Sequence, residues 1–273
     1  MKQILINASQ REELRLAIVE DNKLVELDID LPSKNIKSNI YKGTISRVEP
    51  SLEAAFVNFG RSRHGFLPFK EISPDIFTPG KQKTSRDCIE SGKEIVVQID
   101  KEERGTKGAA LTTYLSLAGK YLVLLPKNPN TGGVSRRLEG NDRQVAKKLL
   151  TEINIPDGMS VILRTSGLDT NKETLQWDMD YLIQIFESIL ENSVLKKAPF
   201  LIYQESSMLA RVIRDYTDET INEVIIDDQK FYEDFMNAKE HFIPHSKVKI
   251  EHYMKPVPTV SYTHLTLPTK RIV

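Results

Sequence analysis

Aromatic and cationic side chains gather between residues 40 and 107 in a pattern suited to holding a single strand of nucleic acid. Tyr41, Lys42, Phe56, Phe59, His64, Phe66 and Lys107 supply rings on which bases stack and cations that track phosphates. Phe56 and Phe66 fall in facing strand candidates, with Arg61 and Arg63 between them. Gly65 sits between His64 and Phe66 and allows another backbone to come close. The alternative is that these rings fill a barrel, which for any single Phe is the commoner destination. A second group suits a terminal phosphate. Arg136-Arg137 follow Gly132-Gly133, and Arg164-Thr165 follow the apolar run 161–163. An Arg fork and a hydroxyl match the several acceptor oxygens of such a phosphate. A bare Arg-Arg pair is more commonly a solvated surface.

Charge and composition narrow the choices. The 273 residues hold 38 Lys+Arg and 38 Asp+Glu, a net charge of zero, so a basic footprint must be local. Residues 37–118 hold 13 Lys/Arg against 10 Asp/Glu, and residues 119–170 hold 8 against 5. Each stretch is therefore +3, and the rest is −6. Cys88 is the only cysteine, which excludes an intrachain disulfide and a Cys-based zinc site. No leader-like apolar stretch opens the sequence, and none approaches the length that spans a bilayer. A cytoplasmic location is expected.

Three acidic or histidine pairs are weak metal candidates. His241 and His245 are four apart, but Pro244 ends a helix between them. Asp178 and Asp180 lie two apart on a helix, point in divergent directions, and are expected on a solvated face. Asp227-Asp228 reads as a strand end followed by a helix cap.

Among the elements that carry these sites, residues 1–35 read as strands at 3–7, 14–20 and 24–29, with Asp21-Asn22 as a hairpin turn. Residues 36–118 carry five short strand candidates at 40–48, 53–59, 64–67, 94–100 and 109–114, which suits an OB-type barrel. Residues 73–91 read as a polar, exposed loop. Strands are expected at 121–125, 161–163 and 200–203. A helix capped by Asn141 or Asp142 carries Val145, Leu149, Leu150 and Ile153. A longer one follows the Thr170…Glu173 capping box and buries Leu175, Met179, Leu182, Ile183, Phe186 and Leu190. Strand, helix and strand follow at 223–226, 229–241 and 247–253.

The run IYKGTISRVEPSLEAAFVNFGRSRHGFLP at 40–68 resembles the S1 domain of bacterial ribonucleases E and G. LAGKYLVLLP at 117–126, GGVSRRLEG at 132–140 and LRTSG at 163–167 resemble the 5′-sensor of the same family. QWD at 176–178, APFLI at 198–202 and RDY at 214–216 also look like the family and are read as structural. The resemblance implies an α+β chain. An OB-fold (S1) β-barrel at 36–118 and a mixed 5′-sensor region at 119–209 are inserted into an RNase H-like α/β part made from 1–35 and 210–258. It implies that Phe56, Phe66 and Lys107 face RNA, and that Gly119 and Val123 line a pocket where Arg164 and Thr165 hold a 5′-monophosphate, with Arg136 nearby. Residues 259–273 do not resemble the family and are expected to be foreign to it.

In the family, hydrolysis needs a divalent metal, Mg2+, in a later subdomain, and a two-cysteine motif farther on binds Zn2+ between subunits. The chain is expected to stop before both, to bind neither metal and to lack nuclease activity by itself. Its expected partner is single-stranded RNA rather than DNA. The full-length family forms homo-oligomers. Two functions follow: the RNA-binding portion of an endoribonuclease acting in RNA processing and mRNA decay, or a non-enzymatic RNA-binding S1-domain protein or regulator.

Overall fold

The computed structural model describes residues 1–10, 12–31, 36–80, 88–128, 131–205, 207–217, 220–242 and 248–254. The residues 259–273 and His245 lie outside these, as does the middle of the expected 73–91 loop. The chain divides into two compact units, Ile36–Ser206 and Met1–Asn35 with Ser207–Val273.

In chain order, β1 (Lys2–Asn7), β2 (Leu14–Glu20) and β3 (Lys23–Asp30) form an antiparallel meander. Asp21 and Asn22 both take positive φ in the tight turn between β2 and β3, a conformation those two residue types tolerate. Five strands then close a barrel: β4 (Ile40–Glu49), β5 (Ala54–Asn58), β6 (Gly65–Pro68), β7 (Glu94–Lys101) and β8 (Ala110–Thr112). Each pairs with its neighbours around the ring, and the β4–β7 pairing shuts it. Its interior holds Ile45, Val57, Phe59, Leu67, Val97, Ile99 and Leu111. Cys88 and Ile89 are each 1% exposed and belong to that core. The end of the 73–91 stretch is thus a core plug, and not the exposed loop its polar composition suggests.

A small four-stranded sheet follows, ordered β11-β12-β10-β9. Its strands are β9 (Leu117–Ala118), β10 (Leu122–Leu125), β11 (Gly133–Val134) and β12 (Ser160–Leu163). Two helices accompany it, α1 (Gly140–Glu152) and α2 (Lys172–Leu195). Leu117, Leu122, Leu124, Val161 and Leu163 pack with Leu175, Met179, Leu182 and Phe186 of α2. Both helix starts differ from expectation. Glu139 precedes α1 without a side-chain cap, so Asn141 and Asp142 lie in its first turn. Asn171 caps α2 by accepting the Thr174 N–H, while the Thr170 hydroxyl turns back to the Gly167 carbonyl. Leu190 is exposed, and Ile189 takes the buried position. β13 (Phe200–Tyr203) returns to the barrel and pairs with β4.

The remaining elements are α3 (Met208–Arg211), which runs into a π-helical turn over Val212–Tyr216, then β14 (Glu223–Ile226), α4 (Gln229–Phe242) and β15 (Lys249–His252). β1 lies at the centre of the sheet β15-β14-β1-β2-β3 and runs parallel to β14, Gln3 opposite Glu223 through Ile6 opposite Ile226. The core of this unit joins Ile4, Ile6, Leu16 and Ile18 to Met208, Val212, Val224 and Phe235. Arg211 pairs with Asp28 at 2.9 Å and Asp30 at 3.4 Å.

Candidate nucleic-acid interface and phosphate site

On β5 and β6 the alternation of side chains sorts inside from outside. Ala55, Val57, Gly65 and Leu67 are buried, whereas Phe56 and Phe66 between them are half-buried and point outward. The two are direct cross-strand partners, with ring centroids 5.9 Å apart in an edge-to-face arrangement. The register extends this row across four strands. Arg47 stands opposite Phe56, and Ala110 opposite Phe66. The Arg47 guanidinium lies 4.7 Å from the Phe56 ring centre. Beyond Ala110 comes the exposed Lys101. An aromatic pair with a cation at each end of the row can stack bases and meet the phosphates beside them. Arg47 escaped the sequence reading. Its signal was the register counted back from the turn at 50–53, because a bulge between Ile45 and Arg47 breaks the alternation of β4.

His64 is exposed at the edge of this row. Its Nδ1 lies 2.9 Å from the Ser46 Oγ, and that hydroxyl donates to the Phe56 carbonyl at 3.0 Å. If the hydroxyl proton goes to the Phe56 carbonyl, the Nδ1 is the donor to Oγ, and the Nε2 of that neutral tautomer is an acceptor. Lys107 is exposed at a hairpin closed by two backbone hydrogen bonds to Arg104. Arg63 donates to the Gly105 carbonyl and ties that hairpin to the β5–β6 turn.

Three expected RNA contacts are corrected, and one is Phe59, which is 1% exposed inside the barrel. Tyr41 is 7% exposed and packs edge-to-face on Phe59, 5.2 Å between centroids, inside the barrel. It has no free face for a base. The Lys42 side chain is 12% exposed, paired with Glu94 at 2.6 Å and bonded to the Lys196 carbonyl at 2.8 Å. Its ammonium and the Ala198 N–H hold the Glu94 carboxyl below the usual carboxylate range. This cation is therefore committed to its own strand neighbour.

The phosphate candidates gather at one end of the small sheet. Arg164 follows β12, and its Nη1 donates to the Gly119 carbonyl at 2.6 Å. Its backbone N–H donates to the Tyr121 carbonyl at 2.8 Å. Thr165 is exposed and opens the single turn Thr165–Gly167. Val123 is half-buried, opposite Ile162 and Ala118. Arg136 is exposed two residues past β11. Asp178 is 2% exposed, which overturns the solvated-face expectation for that residue. Burial raises its carboxyl above the usual range, against the pull of the backbone N–H groups it accepts. Asp180 is exposed and accepts from Gln176. The cavities of about 420 and 300 Å3 in this unit, around Gly132–Val161 and between Ser73 and Phe186, do not include Arg164.

Among the described residues, no group of three or more His, Cys, Asp or Glu side chains could hold a metal ion. No described helix is long and apolar enough to cross a membrane.

Comparison with known proteins agrees with the barrel fold. Residues 34–113 match the S1 RNA binding domain, and residues 116–272 match the ribonuclease E/G family. The family match thus runs through most of the 259–273 segment that had looked foreign. The chain is 51% identical over 246 residues to ribonuclease E of Haemophilus influenzae, covering 88% of this chain and 26% of that protein. It is 47% identical over 271 residues to ribonuclease E of Escherichia coli, covering 96% and 25%. Against ribonuclease G of Escherichia coli the identity is 32% over 260 residues, covering 92% and 53%. The chain therefore spans about a quarter of the ribonuclease E relatives and about half of ribonuclease G. With a closed S1 barrel and a family match over more than half its length, the chain belongs to the ribonuclease E/G family.

Proposed function

We propose that this chain captures RNA for an endoribonuclease of RNA processing and mRNA decay, binding a single strand on the barrel and a 5′-monophosphate at Arg164. The row Arg47–Phe56–Phe66 on the outer barrel face is the observation that carries the proposal. Bases stack on Phe56 and Phe66, and the phosphates between them meet Arg47, Lys101 and Lys107. The Nε2 of His64 is available to a base edge or a 2′-hydroxyl. At the other site, Arg164 offers guanidinium N–H groups from a side chain fixed by the Gly119 carbonyl, and Thr165 adds a hydroxyl. Gly119 and Val123 shape the wall, so that a bulkier 5′-triphosphate is excluded by fit, and Arg136 supplies a second cation at the rim. The Mg2+ that the family uses for hydrolysis and the Zn2+ it uses between subunits are assigned to donors other than the described residues, so no chemical step is routed through them. The buried thiol of Cys88 suits a reducing cytoplasm. Homo-oligomers are proposed for the full-length family member.

The test compares 5′-monophosphorylated and 5′-hydroxyl RNA of one sequence by fluorescence anisotropy at fixed salt, with DNA of that sequence alongside. Wild type should favour the monophosphate, and Arg164→Ala should lose about 1.5–3 kcal/mol on that RNA alone. Equal losses on both RNAs would reduce Arg164 to an ordinary backbone contact. Equal affinity for the DNA would remove RNA selectivity. Incubated with magnesium, the purified chain should bind RNA without cutting it, and EDTA-sensitive cleavage would place the chemistry in this chain.

A further inference from the structure

The turn Gly119–Leu122 has hydrogen bonds on both of its faces. On one face its N–H groups converge on a single carboxylate. Asp178 accepts from Lys120 at 3.1 Å, from Tyr121 at 2.9 Å and from Leu122 at 2.9 Å. On the other face three successive carbonyls point at the phosphate candidates. The Gly119 carbonyl accepts from the Arg164 Nη1 at 2.6 Å, the Lys120 carbonyl from the Ser166 hydroxyl at 2.7 Å, and the Tyr121 carbonyl from the Arg164 N–H at 2.8 Å. One layer of peptide groups therefore stands between a buried anion and the guanidinium that would meet the RNA end.

The layer is also closely fitted. A Cβ added to Gly119 would lie 2.5 Å from the Asp178 Oδ2, closer than any side chain tolerates. An apolar residue on that face of α2 would leave three N–H groups without this acceptor, so the carboxylate offsets the cost of its own burial by satisfying them. What the carboxylate provides is a fixed orientation for three consecutive peptides, and with it the direction of the Gly119 carbonyl that aims Arg164.

We infer that Asp178 is a positioning residue of the phosphate site, holding the Gly119–Leu122 turn so that its carbonyls fix Arg164 and Ser166. This rests on the assignment of Arg164 to a 5′-phosphate. Asp178→Asn is the working variant, because its amide oxygen can accept two of the three N–H groups while its NH2 faces the third. The readout is the ratio of affinities for 5′-monophosphorylated and 5′-hydroxyl RNA, measured on the whole chain, together with thermal unfolding. Asp178→Asn should cut that ratio about tenfold. If Arg164→Ala abolishes the ratio and Asp178→Asn leaves it at the wild-type value, the inference is overturned and the phosphate site stands. If wild type shows no preference, the phosphate site falls and the inference with it. Should Asp178→Asn not fold, nuclear magnetic resonance of wild type titrated with uridine 5′-monophosphate decides. The amides of Lys120, Tyr121 and Leu122 should shift with the same dissociation constant as the Arg164 side chain, and unmoved amides would overturn the inference.

Discussion

Phe56, Phe66 and Tyr41 are rings on neighbouring strands of one barrel, and their removal should produce opposite phenotypes. Phe56→Ala or Phe66→Ala should cost about 1–3 kcal/mol of RNA affinity with little change in the urea midpoint. Tyr41→Ala empties a place against Phe59 and should cost about 3–5 kcal/mol of folding stability, read by urea unfolding. The parity of β5 and β6 separates ring from ring in the sequence, because small or aliphatic residues flank each Phe. The start of β4 gives no such signal. Ile40 is buried with Leu117 and Leu175 on one face, and Tyr41 with the barrel interior on the other. A strand covered on both sides does not alternate, so Tyr41 and Lys42 looked like interface residues when they are not. Lys107 differs from Lys42 in having no acidic partner among its described contacts. Lys107→Ala should lower the slope of log affinity against log salt by about one phosphate contact. A slope equal to wild type would take Lys107 out of the RNA path.

At the scale of elements, the hairpin between β7 and β8 is positioned by a contact that composition hides. A Cβ at Gly108 would lie 2.3 Å from the His64 carbonyl oxygen, and backbone cannot yield as a flexible side chain would. Gly108→Ala should therefore push the hairpin and Lys107 away from β6. The expected result is a larger loss of RNA affinity than Lys107→Ala gives, with a lowered thermal midpoint. Affinity equal to wild type would mean that the hairpin adjusts freely. Element type was legible wherever periodicity was long. α2 and the barrel strands follow from their spacing of apolar residues. What was not legible is local competition: Asn171 caps α2 because Thr170 spends its hydroxyl on Gly167. Similarly, Cys88 and Ile89 are core residues that follow a polar stretch, and only closure of the barrel calls for them. Asp178 could not be read at all, since the three N–H groups that justify its burial come from residues 56 to 58 positions away.

For the whole molecule, acid should weaken the unit formed by the two ends of the described chain. Glu223 accepts from Gln3 at 2.8 Å and pairs with Lys249 at 2.7 Å, linking β14 to both of its neighbours. The Lys249 bond leads in holding its carboxyl below the ordinary range. A depressed carboxyl adds stability above its unfolded value, and that stability disappears as pH falls through the lower folded value. The same ion pair raises the Lys249 ammonium, whose share persists until strongly alkaline pH. The protection of the β14 amides, corrected for the pH dependence of intrinsic exchange, should therefore fall as pH drops below the ordinary glutamate value, and Glu223→Gln should flatten the dependence. An unchanged profile in Glu223→Gln would assign the acid response to other carboxylates. The junction of residues 1–35 with 210–258 could be inferred only from family resemblance. A parallel pair of strands so far apart leaves no local pattern in the sequence.

The central place of β1 has a consequence for synthesis. The Lys2 N–H bonds to the Asn222 side chain, 220 residues later. At roughly 5–20 residues per second, a ribosome takes about 10–40 seconds to deliver that partner. During the wait the inserted barrel and small sheet can complete themselves, while Ile4, Ile6, Leu16 and Ile18 have emerged without the helices that cover them. The earlier of the two segments is thus among the last to reach its final place. For that interval the nascent chain offers an open strand edge backed by apolar residues, the kind of surface that holding chaperones recognise.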